Sequence, residues 1–108
     1  MTDWQANLQK EFDLAEKARA RNNEGQARVC ARRAAGIAIR EYLLRKEIRP
    51  LSTSAYDLLN LLKDDPLLAP DLKLIADHLT LRVTEDFKLP VDVDLIAEAR
   101  TLCAELLK

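Results

Sequence analysis

The chain has 108 residues, 48% of them hydrophobic and 32% charged, with a formal net charge of −1. That length makes one domain, residues 1–108, able to bury a single core without disulfide or metal staples. Two glycines and five aromatic side chains, set among many Leu, Ala and charged residues, disfavour strands and favour helices.

Five helical segments follow in chain order. The first covers about 3–21, with Trp4, Leu8, Phe12, Ala15 and Ala18 on one stripe. Asn22-Asn23-Glu24-Gly25 breaks the pattern and predicts a tight helical hairpin. The second helix covers about 26–47. Its apolar arc is wide: Ala27, Cys30, Ala31, Ala34, Ile37, Ala38 and Tyr42 share one side, and Ala35 and Ile39 widen it. Such an arc predicts a central helix with several neighbours. Pro50 closes it. Ser52, Thr53 and Ser54 are candidate N-caps for a third helix that ends near Lys63, with Leu58, Leu59, Leu61 and Leu62 facing inward. Asp57, three residues after Ser54, completes a variant capping box.

The fourth helix is expected from Asp71 to about Asp86, with Leu72, Ile75, Ala76, Leu79 and Val83 in the core and Phe87 closing it. Lys88-Leu89-Pro90 ends that segment. Asp92 or Asp94 caps a fifth helix running to the C-terminus on Leu95, Ile96, Ala99, Leu102, Cys103, Leu106 and Leu107. The expected fold is all-α, an antiparallel up-and-down bundle of four to five helices.

Charge is uneven. Residues 1–50 carry 11 Lys/Arg against 7 Asp/Glu, a net of +4, and residues 51–108 carry 6 against 11, a net of −5. The asymmetry either steers an anionic partner or packs the basic half beside the acidic half. Cys30 and Cys103 sit at apolar helical positions and lack the spacing of a metal site, so no metal or cofactor is expected. The N-terminus has no hydrophobic signal core, and no apolar run is long enough for a bilayer, which predicts a cytoplasmic protein without a membrane partner.

Three constellations carry possible chemistry. Arg28, Arg32, Arg33 and Arg40 lie on the second helix, where arginines either contact phosphates or form a solvated face with i,i+4 partners. Arg32, Arg33 and Arg40 are the nucleic-acid-binding candidates. No aromatic residue is interleaved with them, so no base-stacking platform is indicated. The fourth helix has a second stripe, Leu74, His78, Leu81 and Arg82, suited to a homodimer interface or to a neighbour in the same bundle. The third constellation is His78 with Arg82 one turn on, a minimal pair for phosphodiester cleavage: an imidazole to move protons and a guanidinium to hold phosphate.

Three stretches, 15–44, 54–62 (S-A-Y-D-L-L-N-L-L) and 89–102 (L-P-V-D-V-D-L-I-A-E-A-R-T-L), make the chain resemble the HEPN family, helical bundles named for nucleotide binding. The resemblance implies a bundle of four to five helices, commonly homodimeric. It also implies a metal-independent ribonuclease, an RNA- or nucleotide-binding module, or the partner of a nucleotidyltransferase in a toxin–antitoxin pair. Catalytic HEPN members carry an Arg followed four to six residues on by a His. Here Phe87, Lys88 and Leu89 stand after Arg82, and the only histidine, His78, precedes it. The preferred expectation is therefore a non-catalytic HEPN-like binding or assembly module, with a ribonuclease using His78 and Arg82 as the alternative.

Overall fold

Asn22 and Asn23 separate the first two helices. In the computed structural model, which describes residues 3–81 and 93–108, α1 runs Trp4–Ala20 and α2 runs Glu24–Arg45. Asn22 takes the left-handed conformation (φ 61°), and the Asn23 N–H returns to the Ala18 carbonyl at 2.8 Å. This pattern closes α1. The Asn23 side chain then accepts from the Gln26 N–H, so two asparagines end one helix and start the next. Glu47, also at φ 61°, ends α2 with the Ile48 N–H on the Leu43 carbonyl.

α3, Ala55–Lys63, begins at the N-cap Ser54, which accepts from the Asp57 N–H. The capping box closes through a relay. The Ser54 N–H donates to Ser52 Oγ, and that hydroxyl donates to the Asp57 carboxylate at 2.8 Å. α4 runs Pro70–Thr80 and α5 runs Leu95–Leu106, the latter capped by Asp94, whose Oδ1 accepts from the Ile96 and Ala97 N–H groups.

The fourth helix is shorter than the expected 71–86. Leu81 is extended (φ −64°, ψ 141°), and the last carbonyls of α4 already have partners. Thr80 Oγ1 donates to the Asp77 and Ala76 carbonyls, the Leu81 N–H to His78, and Arg32 Nε to Leu79 at 2.7 Å. Periodicity cannot register such a termination. Val83, Phe87, Lys88-Leu89-Pro90 and Asp92 lie outside the described residues.

α2 packs against each of the other four helices. Ala27, Ala31, Ala34, Ala35 and Ala38 are fully buried along it, which lets its neighbours approach closely, and Ile39, Leu59, Leu79, Leu95, Ile96 and Leu102 fill the space between. Each such aliphatic side chain contributes about 1.5–3 kcal/mol by leaving water. Leu61, expected inward, is 45% exposed, because α3 buries only its Leu58–Leu59–Leu62 side. The described residues are an all-α helical bundle.

Candidate nucleic-acid groove

One groove runs along α2 between α1 and the start of α3. It consists of two recesses of about 410 Å³ and 370 Å³ that share Ile37 and Arg40. Antiparallel pairing of α1 with α2 sets its walls. Trp4, Asn7 and Glu11 succeed one another along α1, opposite Leu44, Arg40, Ile37 and Arg33 on α2. Thr53, Ala55 and Leu58 form the third wall. Gly36 lies in the recess because α3 begins against it: a Cβ there would stand 2.9 Å from the Ala55 Cβ.

The three arginine candidates separate. Arg33 and Arg40 are exposed, line the groove, and form no ion pair with another described residue. Arg32 instead closes the C-terminus of α4 through Leu79. Burial, and then the charge of Arg28, pull its guanidinium below its usual value. Its Nε–H is spent on a backbone carbonyl in the last turn of α4.

Tertiary structure adds residues that the arginine pattern did not indicate. Trp4, half-buried with Arg45 5.8 Å above its ring centroid, closes the end of the groove beside Arg40. An aromatic wall thus stands next to an arginine although none is interleaved with the arginines in sequence. Glu11 is half-buried, and its Oε2 is buried without a hydrogen-bond partner among the described residues. Glu41, at the same end as Trp4, is held by Arg45 Nε at 3.2 Å.

The second stripe of α4 is divided. Leu74 is 54% exposed, Leu81 is half-buried, and Arg82 lies outside the described residues. His78 is mostly covered and meets Glu98 of α5, its Nδ1 at 2.9 Å from both carboxylate oxygens. Glu98 is a partner that no local spacing could indicate, twenty residues away in sequence.

Cys30 and Cys103 are buried and unpaired, and burial pushes the Cys103 thiol up to about 12. Among the described residues no three His, Cys, Asp or Glu side chains converge as metal ligands, and no helix is long and apolar enough to cross a membrane. Comparison with protein families, with curated proteins and with solved structures yields no match.

Proposed function

We propose that this chain is a non-catalytic, HEPN-like binding module that takes single-stranded RNA along the α1–α2–α3 groove. The observation that carries this is the convergence of two exposed arginines, Arg33 and Arg40, on one recessed surface ending at Trp4. Seven residues at 1.5 Å each separate them by about 10 Å along α2, so the two can meet different phosphates of one strand. Guanidinium groups bind phosphate through paired N–H donors, and Trp4 supplies a π surface for a base.

Trp4 is the only tryptophan, so its fluorescence reports occupancy directly. Titration with a short single-stranded RNA is expected to change that fluorescence. The affinity should fall with salt at a log–log slope of about −1.4, the value for two phosphate contacts on a single strand. Arg33→Ala and Arg40→Ala should each remove about half of that slope. Binding that is insensitive to salt and to both substitutions would rule the groove out.

A second reading, ribonuclease activity, is favoured by one contact: the Glu98 carboxylate on His78 Nδ1 fixes the imidazole as a general base requires. RNA cleavage in the presence of chelator, abolished in His78→Ala, would support it. Equal cleavage by both proteins would remove it. A homodimer would use Leu74, the exposed member of the α4 stripe, and light scattering of Leu74→Asp against the parent chain tests that interface.

A further inference from the structure

Ser52, Thr53 and Ser54 lie in a row in the connection between α2 and α3. The two serine hydroxyls are committed to the start of α3. Ser52 Oγ accepts from the Ser54 N–H and donates to Asp57, and Ser54 Oγ accepts from the Asp57 N–H. Thr53 is exposed, and its hydroxyl forms no hydrogen bond with another described residue. Of the three, Thr53 alone lines the recess that holds Arg33 and Arg40.

The contact between Gly36 and Ala55 fixes where this connection meets α2. Gly36 falls between Arg33 and Arg40 in sequence, so the chain leading into α3 reaches α2 between the levels of the two arginines. Neither arginine forms an ion pair with another described residue. Glu11 is the one carboxylate lining the recess, against two guanidinium groups, so a positive charge is left over beside the free hydroxyl. A phosphate monoester carries about −1.5 to −2 charges at neutral pH and three acceptor oxygens. Those oxygens match the forked N–H donors of two guanidinium groups.

Resting on the groove reading above for its consequence, we propose that Thr53 is a phosphorylation site whose phosphate pairs with Arg33 and Arg40 and displaces RNA from the groove. The phosphoryl donor is a nucleoside triphosphate held by a serine/threonine kinase. A bond forms between Thr53 Oγ1 and the γ-phosphorus, and the bond from that phosphorus to the β–γ bridging oxygen breaks. Nucleoside diphosphate leaves, and the hydroxyl proton passes to the kinase. The modified chain then supplies in cis the anion that the arginines otherwise take from a strand.

The full chain with Thr53 replaced by phosphothreonine, made by semisynthesis, is compared with the parent chain. Phosphorus-31 NMR against pH is expected to place the second ionisation of the phosphate below its ordinary pH of about 6, because guanidinium neighbours favour the dianion. Arg33→Ala or Arg40→Ala should return it toward that value. Binding of UUUUU, followed by Trp4 fluorescence, should weaken at least about tenfold on phosphorylation, since both phosphate-binding arginines are then occupied. Site mapping of the chain isolated from its own host should find phosphate on Thr53, and that measurement stands whether or not the semisynthetic chain folds. Phosphate on Ser52 or Ser54 in its place, no phosphate on Thr53, or an ordinary phosphate titration would overturn the role of Thr53 and leave the groove standing. A lowered titration in a chain whose parent binds no RNA would support the phosphate site and overturn the groove.

Discussion

Gly36 shows how one missing methyl group shapes the groove. An alanine Cβ there would stand 2.9 Å from the Ala55 Cβ and 3.1 Å from its Cα, and neither belongs to a flexible side chain that can swing away. Gly36→Ala is therefore expected to destabilise the fold by about 1–3 kcal/mol despite the better helix propensity of alanine. Urea denaturation measures the loss. Cys103 gives a second residue-scale expectation. Its thiol is buried, raised to about 12, and 3.9 Å from the Ala34 carbonyl, so it should resist thiol reagents at pH 8 and react as the chain unfolds. Rapid labelling of the native protein would contradict that placement.

Between elements, the contacts that matter are those that finish helices. Arg32 reaches from α2 to the C-terminus of α4, and Asp65 organises the α3–α4 connection. Asp65 accepts from the Leu67 N–H at 2.9 Å and from the Tyr42 hydroxyl at 3.2 Å, with Lys46 at 3.8 Å. The Leu67 N–H, against the opposing effect of burial and with help from Tyr42 and Lys46, holds its carboxyl below the ordinary value. Arg32→Ala should cost about 1–2 kcal/mol, since it strips a charged donor from a carbonyl in the last turn of α4. Its effect on RNA affinity should be small, the reverse of Arg33→Ala. Thermal melts alongside the fluorescence titration separate the two, and an Arg32 variant of native stability would show that α4 ends without it.

Across the whole molecule, part of the charge asymmetry is resolved within the chain. Arg19 of the basic half pairs with Asp94 of the acidic half at 3.0 Å, and Lys46 with Asp65 at 3.8 Å. Both are surface pairs and contribute little individually. Asp94 also caps α5. Burial raises its carboxyl, but the Ala97 N–H, Arg19 and the Ile96 N–H outweigh that and leave it below the usual 3.8. A folded value below the unfolded one stabilises the protein fully above about pH 4 and is lost as pH falls through the folded value. Asp94→Asn keeps a capping acceptor and removes the charge. It should flatten the stability decline below pH 4 that the parent chain shows in acid denaturation followed by circular dichroism. An unchanged decline would place the acid sensitivity elsewhere.

The sequence by itself determined five helices, the break at Asn22-Asn23, short sets of cap candidates that include Ser54 and Asp94, and most of the core, because a 3.6-residue apolar period and side-chain capping are local. It also marked Arg33 and Arg40 by type. Only the tertiary structure decided that Arg32 serves α4, that the helix ends at Thr80, that His78 faces Glu98, and that Trp4 and Glu11 join the arginines in one groove. Each of these depends on residues brought together by packing, and spacing along one helix carries no information about what its neighbour places opposite.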